Sequence, residues 1–124
     1  MTTVKFDSTG EPLKISFIFN GLIAASYTYT LWEANSNNKI ERHFGNNQNP
    51  DDDIYVLPSP VNINIDRLIE FNVSFKGLDT VDIKDYTIKA EIYQGDNLVG
   101  SDKDSGEVTG NPQDALMFFM LKAE

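Results

Sequence analysis

Apolar and polar residues alternate along four separate segments of this chain, residues 13–20, 23–33, 69–75 and 86–93. A period of two places the apolar side chains on one face of an extended strand and the polar side chains on the other. The odd-numbered residues from Ile69 to Phe75, for example, are all apolar. The pattern therefore predicts half-buried β-strands and an all-β fold.

Shorter apolar stretches predict further strands at residues 4–6, 39–44, 54–57, 61–66 and 98–99. The pair Asn20-Gly21 is a typical two-residue turn, and residues 45–53 and 100–112 have the composition of loops. Short strands with turns every roughly 8–12 residues are typical of a β-sandwich. We therefore expect residues 1–124 to form a single-domain antiparallel β-sandwich of about eight strands.

The chain ends in a continuous apolar run, residues 115–121. Such a run predicts either a strand that is covered on both faces or a short buried helix.

Gly77-Leu78 is followed by a polar connection and then by Asp85-Tyr86-Thr87-Ile88-Lys89-Ala90. This segment resembles the tyrosine corner of immunoglobulin and fibronectin III sandwiches, in which a Tyr opens a strand and its hydroxyl bonds back to the preceding loop. The resemblance implies that role for Tyr86, and it favours an immunoglobulin- or fibronectin III-like topology.

The composition suits a globular domain that is stable without disulfide bonds or metal. The chain has 124 residues, no Cys, eight Phe, five Tyr and one Trp, and 40% of its residues are hydrophobic. Its formal net charge of −9 disfavours binding to nucleic acid and to anionic membranes. No stretch has the roughly 20 apolar residues of a membrane-spanning helix. Because the first residues do not resemble a signal peptide, we expect a cytoplasmic location, or export by a route that the sequence does not show.

Side chains for acid–base, thiol or zinc chemistry are scarce. The only histidine is His43, and the alternation places it with Lys39 and Glu41 on the polar face of a strand. A solvated side chain is the usual outcome at such a position. Paired carboxylates for glycoside hydrolysis need a deep cleft, which a small sandwich rarely offers. We therefore expect a protein that is not an enzyme and that needs no cofactor.

Two acidic segments are the candidate calcium site. Residues 46–53 include Asp51, Asp52 and Asp53 beside several Asn, and residues 96–107 include Asp102 and Asp104. Calcium binds about six to eight hard oxygen ligands, so Asp51, Asp53, Asp102 and Asp104 would form a site if the two segments met. The spacing does not match an EF-hand, because Gly106 comes one residue too early and the closing Glu is absent. The alternative is a pair of solvated loops that oppose aggregation.

The single Trp and the Asn-rich loop are the candidate ligand-binding residues. Trp32 shares the polar face of its strand with Thr28 and Thr30. An exposed Trp can stack on a sugar ring or anchor a protein partner, whereas a β-bulge would turn it into the core. The predicted binding residues are Trp32, Asn46, Asn47, Asn49, Asp51, Asp52 and Asp53.

The two ends of the chain are the candidate interface. A two-layer sandwich covers one face of each strand, yet both faces of residues 115–121 are apolar. An exposed apolar patch usually marks an interface, and terminal strands are readily exchanged between subunits. A crossing loop at residues 108–112 is the alternative cover. The predicted interface residues are Val4, Phe6, Met117, Phe119 and Leu121.

These features favour a non-enzymatic structural or protein-interaction module that works within a homo- or hetero-oligomeric assembly. The alternative is a calcium-dependent or carbohydrate-binding module that uses loops 46–53 and 96–107. Both functions rest on loops and surface shape, which is common for small sandwiches.

Overall fold

Two β-sheets pack face to face in the computed structural model of the chain, which describes residues 1–48, 53–78, 85–109 and 112–124. The strands are β1 Thr2–Phe6, β2 Leu13–Asn20, β3 Ile23–Trp32, β4 Lys39–Asn46, β5 Ile54–Val56, β6 Leu68–Gly77, β7 Asp85–Gln94, β8 Asn97–Glu107 and β9 Gln113–Ala123. The five-stranded sheet has the order β1-β9-β6-β3-β4, and the four-stranded sheet has the order β5-β2-β7-β8. The all-β prediction and the two-layer sandwich are confirmed.

The alternation along the sequence decides which side chains enter the core. The odd-numbered residues of β3 and β6 face the four-stranded sheet and are buried, and the even-numbered residues of β7 are buried from the other side. These side chains join in one cluster that spans both sheets. Removal of apolar surface from water contributes about 25 cal/mol per Å², so this cluster is the main stabilising element of the fold.

One strand pair departs from the predicted antiparallel arrangement. β1 runs parallel to β9, with Val4 opposite Leu121, whereas the other described pairs are antiparallel. Parallel neighbours need a long connection between them, and here nearly the whole chain separates the two strands. The purely antiparallel prediction is therefore wrong at this edge of the sheet.

The segment 96–107, predicted as an acidic loop, is mostly strand. β8 is paired with β7 along its length, and it places Gly100, Asp102, Asp104 and Gly106 on its inner face. Ladder hydrogen bonds need only the backbone, so an edge strand forms here without an apolar pattern. Inward-pointing charges on an edge strand also discourage pairing with other chains.

The segment 61–66, predicted as a strand, forms a 3₁₀ turn at Val61–Asn64. The buried Asn64 amide donates a hydrogen bond of 2.9 Å to the carbonyl of Pro58, and its oxygen accepts one of 3.2 Å from Arg67. Because a buried polar side chain must be hydrogen-bonded, this network stabilises the turn.

The hydroxyl of Tyr86 donates a hydrogen bond of 3.0 Å to Asp104 on β8. The loop to which the tyrosine-corner resemblance directs this hydroxyl, residues 79–84, lies outside the described residues. The bond to Asp104 ties the start of β7 to the edge of its own sheet.

The Asn20-Gly21 turn joins the two sheets instead of two paired strands, because β2 and β3 lie in different sheets. Gly21 has a backbone φ of 112°, which residues other than glycine rarely adopt. A Cβ at this position would lie 2.7 Å from the carbonyl oxygen of Asp85. Gly21 therefore fits both the backbone conformation and the space at this crossing.

We expect Gly21→Ala to lower the free energy of unfolding by about 1–3 kcal/mol, because backbone strain and the contact with Asp85 both oppose a methyl group. Gly106→Ala is the matched control, since a Cβ there would meet Tyr86 at 3.8 Å, an ordinary contact. Urea unfolding of both variants measures the difference. Equal unfolding midpoints would contradict this account of the turn.

Candidate functional site

The outer face of the five-stranded sheet carries a continuous set of apolar side chains. The register aligns Trp32 of β3 with Leu68 of β6, and Leu68 with Met120 of β9. Leu116 and Phe118 follow on the same face of β9, beside the middle of β6. We call these five residues the apolar patch. No element in the described ranges packs over it; Leu116 is 55% exposed, and the other four side chains are half-buried.

Thr30 shows how closely the side chains around the apolar patch pack. It points outwards between Arg42 and Glu70, yet it is only 3% exposed. A short side chain on an outer face becomes buried only where longer neighbours close over it. The outer face therefore has an ordered surface at its centre.

Trp32 lies on this outer face and is half-buried. A bulge does occur beside it, but it belongs to β4: Leu31 pairs with Glu41 and Trp32 with Lys39, whereas the pairing of β3 with β6 is continuous. The bulge therefore does not turn Trp32 into the core.

Two contacts hold the Trp32 indole in place. Its Nε1 donates a hydrogen bond of 3.0 Å to Glu70, and the Lys39 ammonium lies 5.4 Å from the ring centre. The second contact is a cation–π interaction. A cleft of about 300 Å³ opens beside the ring, lined by Trp32, Glu33, Asn35, Ser36, Asn37, Asp66, Leu68, Glu70 and Met120.

The charge of this face is opposite to that of the whole chain. The outward-pointing charged residues of its strands are five basic ones, Lys5, Lys39, Arg42, Lys76 and Lys122, and two acidic ones, Glu70 and Asp114. Five positive and two negative charges give +3, against −9 for the chain. The strands of this face therefore give the apolar patch a basic border, except at the cleft beside Trp32, which Glu33, Asp66 and Glu70 line.

The structure separates Trp32 from the Asn-rich loop. Asn46 pairs with Ser26 near the start of β3, and Trp32 ends that strand. Six residues of extended chain span roughly 20 Å. Trp32 therefore does not form one site with Asn46 and Asn47. The other predicted loop residues Asn49, Asp51 and Asp52 lie outside the described residues.

Asn47 and Asp53 bond to the sandwich itself. The Asn47 side chain accepts a hydrogen bond of 2.9 Å from the Ala25 amide and donates one of 2.9 Å to the carbonyl of Ile23. The Asp53 carboxylate accepts a bond of 2.6 Å from the Tyr27 hydroxyl, which also lies 2.7 Å from that of Tyr55. Tyr27 lies against Gly45, where a Cβ would leave no room for its ring. These side chains therefore join the two sheets on the side where the edge strands β4 and β5 lie.

His43 lies on the inner face of β4 instead of the polar face that the alternation predicted, and its side chain is still 39% exposed. It pairs with Tyr29, and its ring lies 5.5 Å from the Tyr29 ring and 4.7 Å from the Tyr55 ring. Its Nε2 is 3.3 Å from the Glu41 carboxylate. β4 is an edge strand, so its inner face meets the rim of the core, where polar groups and rings can pack together.

Burial raises the pKa of the Tyr27 hydroxyl, and the hydrogen bond to Asp53 raises it further. Burial likewise raises the pKa of Tyr29, with a further contribution from the negative charge of Glu41. Both phenols therefore stay protonated at neutral pH. The Tyr29 hydroxyl is fully buried, and it has no hydrogen-bond partner among the described residues.

The predicted calcium ligands are not brought together. Asp53 directly precedes β5, whereas Asp102 and Asp104 lie on β8 at the opposite edge of the four-stranded sheet. Three strand spacings separate these edges, about 14 Å. Within the described ranges, no three His, Cys, Asp or Glu side chains form a metal-binding group. Asp51 lies outside those ranges.

The predicted interface residues line the core. Val4 and Phe6 of β1 and Met117, Phe119 and Leu121 of β9 are at most 3% exposed. The prediction therefore chose the wrong face of β9, because both faces are apolar and the alternation does not tell them apart. The outward face consists of Leu116, which is exposed, and Phe118 and Met120, which are half-buried, and the sequence analysis did not select these residues. The apolar residues at the even-numbered positions of 115–121 were the feature of the sequence that could have identified this outer face.

Comparison of the chain with protein-family models, with curated proteins and with solved structures finds no match. No helix in the described part of the chain is long and apolar enough to cross a membrane. The fold and the site therefore define a class only: a two-layer β-sandwich with an uncovered apolar patch.

Tyr27 and Tyr29 give a matched pair of substitutions, since each Tyr→Phe change removes one oxygen atom. Tyr27→Phe removes a bonded hydroxyl, and we expect it to lower the free energy of unfolding by about 0.5–1.5 kcal/mol. Tyr29→Phe removes an unpartnered buried hydroxyl, and we expect it to raise that free energy by about 1 kcal/mol. Urea unfolding at neutral pH measures both. Equal losses in the two variants would contradict the assigned hydrogen bonds.

Proposed function

We propose that this chain is a non-enzymatic protein-interaction module that docks a protein partner through the apolar patch within an oligomeric assembly. The observation that carries the proposal is the row Trp32–Leu68–Met120 at one end of the five-stranded sheet, with Leu116 and Phe118 continuing along β9, which no element in the described ranges covers. Contiguous apolar surface of this kind marks interaction sites.

The chemistry of the patch supports protein docking. Trp is among the residues that contribute most to binding at interfaces, and Trp32 is already oriented by Glu70 and Lys39. An ordered indole loses little conformational freedom on binding. The remaining patch residues supply apolar contact area around it.

The basic border selects the partner. Lys39 and Arg42 stand on one side of the patch, and Lys5 lies at the opposite edge of the sheet. Charges at the rim of an interface favour partners of opposite sign. The docked surface is therefore apolar at its centre and acidic at its rim. Two copies placed face to face would bring two basic borders together, so a second copy would dock with its own acidic edge.

The immunoglobulin- or fibronectin III-like topology remains part of this proposal. The consecutive strands β2 and β3, and also β4 and β5, lie in different sheets, as connections in Greek-key sandwiches do. Such domains present their sheets and loops to partners.

The test compares substitutions on the two outer faces of the sandwich. Leu116→Glu with Phe118→Glu places charges in the apolar patch, and Ile54→Glu with Val56→Glu places the same charges on exposed residues of the four-stranded sheet. Sedimentation velocity measures self-association, and cross-linking in the source cells followed by mass spectrometry identifies other partners.

We expect the patch variant to lose at least about tenfold in affinity, and the control variant to bind as the wild type does. Thermal melting of both variants checks that the fold is retained. The proposal would be contradicted by a wild-type protein that neither self-associates nor cross-links to a partner. An equal loss of binding affinity in both variants would also contradict it.

The cleft beside Trp32 favours a carbohydrate as a second candidate ligand. An indole ring can stack on a sugar, and the side chains of Asn35, Asn37 and Glu70 that line the cleft can bond to hydroxyl groups. This function would use Trp32 without the predicted acidic loops.

Isothermal titration of the protein with a panel of neutral oligosaccharides tests the second candidate. We expect Trp32→Ala to abolish any binding. Tyr93→Ala is the control, because Tyr93 is a half-buried aromatic residue on the other sheet. Absence of binding across the panel, or equal binding by Trp32→Ala, would rule out the carbohydrate function.

A further inference from the structure

β9 has a neighbour on its outer edge along only part of its length. β1 pairs with β9 from Phe119 to Ala123. On that side, residues 113–118 have no paired strand among the residues that the structure describes. We call the space beside residues 113–118 the β9 gap. It lies in line with β1 and is about 17–20 Å long at the usual rise per residue.

The backbone of Leu116 points into this gap. Leu121 exchanges backbone hydrogen bonds with Arg67 and Asp66 on the β6 side, and Glu124 donates to Phe6 of β1. Residues of a strand direct their backbone N–H and C=O groups to alternate sides, so the even-numbered residues of β9 face β1. The N–H and C=O groups of Leu116 therefore face the gap.

The middle of β8 runs alongside the β9 gap on the other sheet. At one end, Gly100 lies against Val4 of β1. At the other end, the Tyr86 ring lies 4.6 Å from that of Phe75, which pairs with Gln113 at the start of β9. Residues 102–104 of β8 therefore lie opposite the β9 gap.

The carboxylates of Asp102 and Asp104 point towards the junction between the two sheets beside the β9 gap. We call this junction the seam. They pair with Ala90 and Ile88, both buried in the core, so the two carboxylates lie on the inner face of β8, where they are half-buried. Asp102 accepts a bond from the Lys103 amide, and Asp104 accepts one from Tyr86. No ion pair of either residue occurs within the described ranges.

We propose that the β9 gap binds an extended segment of a partner protein, which adds to the five-stranded sheet as a strand in line with β1. Every second side chain of the segment would point inwards, and basic residues there would pair with Asp102 and Asp104. The side chains between them would point outwards beside Leu116 and Phe118 and would be apolar. In strand addition at an open sheet edge, backbone hydrogen bonds supply affinity, and contacts with alternate side chains of the added strand supply specificity.

Charge supports a basic partner over a second copy of this chain. The formal net charge of −9 repels another copy and attracts a basic segment. The inference goes beyond docking on the apolar patch, because it names a backbone-paired ligand at the edge of the sheet.

The test uses two end-capped synthetic peptides, Thr-Lys-Val-Lys-Val-Lys-Thr and its counterpart with Glu in place of each Lys. Affinity is measured by isothermal titration, and amide chemical shifts locate the bound peptide. We expect the Lys peptide alone to bind, with shifts at residues 114–118 and 102–104. Failure of the Lys peptide to bind, equal binding of the Glu peptide, or shifts elsewhere would overturn the proposal.

Charge variants test the two carboxylates. Asp102→Lys with Asp104→Asn should weaken binding of the Lys peptide by at least roughly tenfold, because it removes both charge pairs. Asp96→Lys with Glu11→Gln makes the same change in net charge at two exposed residues away from the seam and should leave binding within about twofold. Equal losses in the two variants would show attraction by net charge only and would overturn the proposal.

A backbone variant tests strand addition. Leu116→Pro removes the N–H that faces the gap, and Pro is tolerated where that N–H is not used by the sheet. Leu116→Ser keeps the N–H and loses the apolar side chain. We expect Leu116→Pro to lose binding while Leu116→Ser retains most of it, and thermal melting checks both folds. Binding by Leu116→Pro at wild-type affinity would overturn strand addition.

If Leu116→Pro fails to fold, the charge variants decide the proposal. Failure of the wild-type protein to bind the Lys peptide, together with intact association through the apolar patch, would overturn this inference alone and leave the proposed function standing.

Discussion

The contact on which the sandwich depends is the stack of Phe17 on Phe71. Phe17 lies on β2, inside the four-stranded sheet, and Phe71 lies on β6, the central strand of the other sheet. Their ring centres are 3.9 Å apart with an interplanar angle of 11°. Tyr27 and Tyr29 pack against Phe17 from β3. Because stacked and tilted rings bury large apolar areas in a fixed geometry, this cluster sets the position of one sheet on the other.

The same constraint shapes the surface. With the inner residues of β3, β6 and β9 committed to the core, their outer residues must face away from it. On β9 these outer residues are also apolar, so the chain forms a second apolar surface that none of its described elements covers. Basic residues border most of this surface, whereas Glu70 lies within it beside Trp32, and Asp102 and Asp104 lie on β8. A chain of net charge −9 thus presents a face of +3.

Several parts of the molecule were predictable from short-range pattern alone. The alternation in β2, β3, β6 and β7 predicts strands because each buries one face. Residues 100–107 of β8 were missed as a strand because an edge strand with Asp102 and Asp104 inward carries no apolar period. Residues 61–66 have the period of a strand, yet the side-chain bonds of Asn64 hold a turn there. Trp32 was selected as a binding residue, but its neighbours in space come from β4, β6 and β9.

The sequence by itself determined that the chain is built of strands, that its core is aromatic and aliphatic, and that its last strand is apolar on both faces. These properties depend on residue type and spacing along one segment. Only the tertiary structure decided that Leu116, Phe118 and Met120, and not Met117, Phe119 and Leu121, lie on the surface. It also decided that Asn20-Gly21 crosses between the sheets and that Asp53 and Asp104 lie at opposite edges. Each of these outcomes depends on which strands become neighbours, and burial of the whole core at once selects that arrangement.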